Sequence, residues 1–231
     1  MRARLPRDPL ALDPDDASWH QLHTFVVEPR TFLERLEASP LFRGAPHRGW
    51  GSAEWVRASG SVGRSAFPLG RVTVYPGGIL LDAFSEARLS ALLRCASALG
   101  AGRLTADETR AFRLDHVLAH PDSLLHPLSP AASSGRAVRE IATTWLRMAW
   151  PFFPREDLEG RAPHVAMRTK RGSEGLDRVL TALPAELAAI PGFPRFTPLA
   201  LRAIVLPEAV RDLAPRISSP RRPRPRSARR V

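Results

Sequence analysis

The sequence predicts an α+β protein: a small β-hairpin/helix module, then a helical domain, then a disordered basic tail. Three observations carry this reading. Two alternating apolar runs, Val72/Val74 and Ile79/Leu81, meet at Pro76-Gly77-Gly78, the pattern of a β-hairpin. The next stretch, Glu86 to Leu99, repeats its apolar residues at helical spacing. From about residue 104, helical periodicity interrupted by prolines replaces strand alternation.

Residues 1–18 are rich in Pro and Asp, show no periodicity and read as a flexible arm, with Asp13, Asp15 and Asp16 as a solvated acidic loop. An α/β module over 19–103 opens with "WHQLHTFVVE", which has strand composition. "PRTFLERLEAS" follows as a short helix with Pro29 near its start, where a missing N–H costs nothing. "GWGSAEWVRASG" is a second strand, and the hairpin comes next. Ser85 is placed to N-cap the helix after it, whose stripe is Leu89, Leu92, Leu93, Ala96 and Leu99, with Gly100 ending it. That helix is expected to lie across the hairpin's apolar side.

The helical domain spans about 104–213. Thr105 and Glu108 match a capping box, predicting a helix towards Ala119. "HPDSLLHPLSPAASSG" reads as a linker. A helix over 136–149 carries Val138, Ile141, Ala142, Trp145 and Ala149 on one stripe and is broken by Pro151 and Pro154. "DLEGRAPHVAMRTKRGSEGLDRVL" reads as a loop and two short helical pieces with a break between them. "PAELAAIPGF" and "FTPLALRAIVLPEAV" are shorter helical segments between prolines, and 214–231 is a disordered tail.

Composition narrows the function classes. With Cys95 alone, no internal disulfide or cysteine-based zinc site forms, and a reducing cytoplasm is the expected compartment. The first residues lack the apolar core of a secretory signal, and no run approaches the ~20 apolar residues of a membrane span. The net charge of +11 suggests nucleic acid, but Lys170 is the sole lysine among 34 basic residues, the mark of a GC-rich genome. Residues 216–231 hold seven arginines and no acid, and subtracting them leaves +4 for the rest. Any nucleic-acid association therefore falls to Arg221, Arg222, Arg224, Arg226, Arg229 and Arg230, with phosphate-driven, salt-dependent and sequence-blind contacts.

Chemical motifs are sparse. His116 and His120 have the i, i+4 spacing of a metal pair, but Val117 stands where a zinc protease places its glutamate. On a helical wheel His116 points away from the Ala111/Leu114/Val117/Leu118 face, so the pair reads as exposed and unliganded, and no cofactor is expected. The turn Ser59–Ser65 lacks phosphate-loop spacing, and Cys95 has no adjacent activating group. The five tryptophans are not interleaved with arginines as stacking platforms and read as core. No motif demands an enzyme, and one with an unrecognised site remains the alternative class.

One constellation has a shape. Trp145-Leu146, then Leu158-x-Gly160-Arg161-x-Pro163-x-x-Ala166, then Thr169-x-x-Gly172-x-x-Gly175-Leu176-x-x-Val179-Leu180 resembles the toxin-binding domain of MbcA/ParS/Xre-type antitoxins. Glu159 takes the place of the first of that family's paired glycines, Ala162 that of its Ser/Thr before the proline, and an α/β half that of its helix-turn-helix. The α/β half is similar to a strand–helix module that precedes the same helical domain in uncharacterised bacterial proteins, some of which end in a SecC-type zinc motif that this chain lacks. The resemblance implies a non-enzymatic protein-binding module whose partner is a RES-domain toxin, an NAD-degrading or NAD-modifying enzyme that the antitoxin occludes. It places partner binding around Arg161, Pro163, Arg168 and Gly172. Physically, Pro163 suits the first position of a helix, Thr169 suits an N-cap, and Gly172 suits a close approach.

Overall fold

The computed structural model describes residues 12, 17–26, 28–45, 51–56, 67–76, 78–100, 108–125 and 134–206. They form the α+β architecture expected. Strands β1 (Trp19–Thr24), β2 (Phe42–Ala45), β3 (Ser52–Val56), β4 (Pro68–Tyr75), β5 (Gly78–Ala83) and β6 (Glu108–Phe112) build one antiparallel sheet in the order β2-β3-β4-β5-β1-β6. Helices α1 (Pro29–Ala38) and α2 (Glu86–Leu99) belong to the first half. Helices α3 (Leu114–Ala119), α4 (Ser134–Met148), α5 (Pro163–Ala166), α6 (Lys170–Ala188) and α7 (Pro198–Val205) follow. Among the described residues, no helix is long and apolar enough to cross a membrane.

The predicted hairpin is β4–β5, with Val72 opposite Leu81 and Val74 opposite Ile79. Gly78 closes it opposite Tyr75 at φ +151°, and a Cβ there would lie 2.5 Å from the Thr24 carbonyl of β1. Ser85 caps α2 as expected, its Oγ accepting from the Arg88 N–H at 3.2 Å. Leu89, Leu92 and Ala96 are buried, and Leu93 and Leu99 lie at the margin of the same core. Leu92 presses so closely on β4 that a Cβ on Gly70 would meet its Cδ2 at 2.9 Å.

Side chains alternate across the sheet. The row Ala53–Val72–Leu81–Leu22, in register across four strands, is buried on the face that carries α2. The neighbouring row points the other way and is polar: Arg43–Glu54–Arg71–Asp82–Gln21–Arg110, one residue from each of the six strands. Arg43 donates to Glu54 at 2.7 Å, Arg71 to Asp82 at 3.0 and 3.2 Å, and Gln21 to Asp82 at 2.8 Å. Arg147 of α4 reaches the second Glu54 oxygen at 2.5 Å, tying the helical half to the sheet.

Three local expectations are corrected. The Thr105–Glu108 capping box predicts helix, yet Glu108–Phe112 is strand β6, because the free edge of β1 offers a full ladder of backbone partners that one cap cannot match. The sheet therefore continues past residue 104, and the helix in this region begins only at Leu114. Pro184 does not separate two segments but lies inside α6, where packing of Leu176, Val179, Leu180, Leu183 and Leu187 outweighs the lost N–H of one proline. Strand β2, four residues around Gly44, carries too little pattern to be foreseen. The turn at 59–65, Trp50, Asp13–Asp16 and the 214–231 tail lie outside the described residues.

Leu92 is fully buried between α2 and the hairpin. Leu92→Ala should cost about 2–5 kcal/mol in urea unfolding, the range for truncating a buried leucine. A loss within about 0.5 kcal/mol, typical of exposed sites, would show that the helix is not seated there.

Candidate functional site

The segment 155–178 is built as a corner. Pro151 ends α4's continuation in a 3-10 turn, Trp150–Phe152, whose three side chains are buried. A second 3-10 turn, Glu156–Leu158, brings the chain back on itself: the Gly160 N–H donates to the Arg155 carbonyl at 2.8 Å, and the Arg155 N–H to the Arg161 carbonyl at 3.2 Å. This tight reversal requires two consecutive left-handed residues, Glu159 at φ 59° and Gly160 at φ 74°. Gly160 adopts that conformation freely, whereas Glu159 does so at a cost of about 1 kcal/mol or more. Leu158 anchors the loop by inserting against α6, where a Cβ on Gly175 would stand 3.2 Å from its Cδ2.

Pro163 opens α5 at its N-terminus and is buried. After one turn the chain breaks and Thr169 starts α6, its Oγ1 accepting from the Gly172 N–H at 3.1 Å. Gly172 is needed for the close approach: a Cβ there would overlap the Ala166 carbonyl carbon and oxygen. Pro163 and Gly172 thus shape the corner, while Arg161 and Arg168 are exposed on it.

Around them the charge is concentrated. Glu159 is bridged by two cations, Arg171 at 2.5 Å on one oxygen and Arg161 at 3.4 Å on the other. Lys170 is also exposed, and Val165 is an exposed apolar residue of α5. Glu159 is the site residue that motif reading missed as a participant. The available signal was a non-glycine residue at a position that resembles a paired-glycine turn.

Arg155 fixes the corner to the rest of the domain. Its guanidinium donates to both Asp157 oxygens, at 3.0 and 2.8 Å, and to both Glu186 oxygens, at 3.0 and 2.9 Å, and lies 5.7 Å from the Trp150 ring centroid. The hydrogen bond from Arg155 holds the Asp157 carboxyl below its ordinary range, against a smaller opposing effect of burial. Beside this clamp lies an open cleft of about 460 Å³, floored by Trp145, Trp150, Phe153 and Leu187 and walled by Arg155 and Glu186. The tryptophans read as core from sequence are buried where described: Trp19, Trp55, Trp145 and Trp150.

The other candidates lie elsewhere. His116 and His120 are exposed, their ring centroids 5.1 Å apart, with His116 stacked on Phe112 rather than facing a third ligand. Among the described residues no group of three or more His, Cys, Asp or Glu is placed to hold a metal ion. Cys95 is half-buried, and burial pushes its thiol up, away from nucleophilic character. The six tail arginines, Arg221 to Arg230, lie outside the described residues. No family model, curated protein or solved structure matches the chain.

Thr169→Ala should cost ~1 kcal/mol, the usual value of an N-cap hydroxyl. Gly172→Ala should cost about 1–3 kcal/mol, because the added methyl meets backbone rather than a movable side chain. Paired urea unfolding curves check both, and a Gly172→Ala protein as stable as the parent would contradict the close approach.

The Arg155–Asp157 pair also sets a pH response. Because the folded Asp157 value is depressed, its contribution is complete above the ordinary aspartate value of about 3.9 and is lost as the pH falls through the lower folded value. Unfolding midpoints of the parent and Asp157→Asn should differ at pH 6 and draw together as the pH falls below the ordinary aspartate value of about 3.9. A gap that stays constant over that range would show that the carboxylate charge is not what Arg155 uses.

Proposed function

We propose that the chain is a non-enzymatic protein-binding module of the antitoxin toxin-binding type, with the α5–α6 corner as its partner surface. The observation that carries this reading is the corner itself: Arg161 and Arg168 are exposed on either side of Val165, and core packing uses none of the three. Arginine and exposed apolar groups side by side are the composition of interface hot spots, since guanidinium forks onto carboxylates while its stem and the apolar neighbour exclude water. The backbone beneath is shaped by Pro163, Gly172, Gly175 and the Arg155 clamp, so a partner would meet a preorganised surface. By the resemblance of Leu158–Leu180 to the antitoxin domain, the partner is a RES-domain toxin.

A second reading, nucleic-acid association through Arg221, Arg222, Arg224, Arg226, Arg229 and Arg230, is favoured by the tail's seven arginines without an acid.

A nuclease-treated pull-down from the native host separates these. The parent chain should retain a specific protein, and Arg161→Ala/Arg168→Ala should recover it at least tenfold less, the loss expected for two interface arginines. Equal recovery by both would sink the corner as the partner surface, and loss of all partners on nuclease treatment would favour the tail.

A further inference from the structure

We infer that Glu159 is a built-in stand-in for a partner carboxylate, and that the corner recognises an acidic segment of a protein. This rests on the reading of the α5–α6 corner as the partner surface. Between residues 159 and 172 the chain carries four cations, Arg161, Arg168, Lys170 and Arg171, and one acid, Glu159. That acid is fully used: each carboxylate oxygen takes one arginine. Among the described residues, Arg168 and Lys170 make no side-chain hydrogen bond or ion pair. The corner therefore holds one carboxylate and has cationic capacity for more.

Glu159 is poorly suited to a purely structural role. Its backbone is left-handed, a conformation disfavoured for any side chain, and its side chain is half exposed, as is the Arg161 side chain, while Arg171 is almost fully exposed. Exposed ion pairs of this kind are weak and exchange readily. A carboxylate arriving with its own chain can replace Glu159 between Arg161 and Arg171, while further acidic groups reach Arg168 and Lys170. Two features favour a protein over a nucleic acid. The group already held by both guanidiniums is a carboxylate, and the exposed Val165 offers an apolar contact that a phosphate backbone does not use. Removal of the internal competitor must then strengthen binding, which a simple surface ion pair does not require.

The test titrates the ¹⁵N-labelled full chain with a deca-glutamate peptide and reads the Gly160 and Gly172 amide signals, so that association with the arginine-rich C-terminal segment is not counted. The parent chain should bind. Glu159→Gln should bind about two- to fivefold more tightly, the factor corresponding to one exposed ion pair, and Arg161→Ala/Arg171→Ala about tenfold less tightly. Glu159→Gly, which suits the left-handed backbone, guards against misfolding and should match Glu159→Gln. If neither Glu159 variant binds more tightly, the stand-in is overturned, even where the arginine variant shows that the surface stands. Shifts at these amides with a ten-nucleotide single-stranded DNA but not with the peptide overturn carboxylate recognition, as does a parent chain that responds to neither. The Arg161/Arg168 pull-down judges the surface itself, so the two readings fail separately.

Discussion

The carboxylate of Asp82 sits in the middle of the sheet with no solvent contact, and side chains from two neighbouring strands close on it. Trp19 and Gln21 of β1 donate to one oxygen at 2.9 and 2.8 Å, and Arg71 of β4 donates twice to the other. Removing a carboxylate from water costs several kcal/mol, recovered only when every lone pair is matched. That requirement fixes the register: a shift of one residue in β1 or β4 would turn the donors to the opposite face and strand the charge. Gln21 carries the constraint further, its other amide atom accepting from the Leu125 N–H at 2.8 Å, so the segment after α3 is also tied to this centre. Such a centre gains less in net stability than in singling out one strand alignment among several with similar apolar burial.

A second buried acid makes the sheet a platform for the helical half. Glu54 is shared by Arg43 of β2 and Arg147 of α4, so the same residue closes the edge strand and docks a helix. Arg88 adds a connection from α2: it is fully buried, donates to the Met148 carbonyl at 2.8 Å, and stacks 4.0 Å over the Phe152 ring. Its aromatic face and carbonyl partner together stabilise a guanidinium that water does not reach. The end of α4 is thereby held from two directions. The Pro-directed turns at 150–158 start from a fixed point, and the α5–α6 corner inherits that rigidity.

At the corner the electrostatics run in the opposite sense. In the sheet the two buried acids, Asp82 and Glu54, each meet arginines; around Arg161 to Arg171 cations outnumber acids at the surface. Surplus exposed charge of one sign contributes nothing to the fold, and repulsion among its members works against it. The corner's backbone is also costly, with Glu159 left-handed and Gly172 pressed on a carbonyl. Local strain and unbalanced charge in a segment whose neighbours pack well are what the proposed partner surface would account for.

How much of this was legible in the sequence follows from the range of each interaction. The hairpin, the α2 stripe with its Ser85 cap, Pro163 at a helix start, Thr169 as a cap and Gly172 as a close approach were all readable, because each depends on residues within a few positions of one another. Strand β6 was misread because a local cap signal lost to the free edge of β1, about ninety residues away in sequence. Pro184 was misread because the core face of α6, not its backbone hydrogen bonds, decides that helix. The row from Arg43 to Arg110 was invisible: six polar residues scattered over some ninety positions, Gln21 to Arg110, become neighbours only once the strand order is set. At the corner, sequence alone determined which residues bend the chain, and only the tertiary structure decided that Pro163 turns inward, that Arg161 and Arg168 face water, and that Glu159 sits between two arginines. Local propensity is encoded in near neighbours, whereas burial and charge pairing depend on what the rest of the chain brings to the same place.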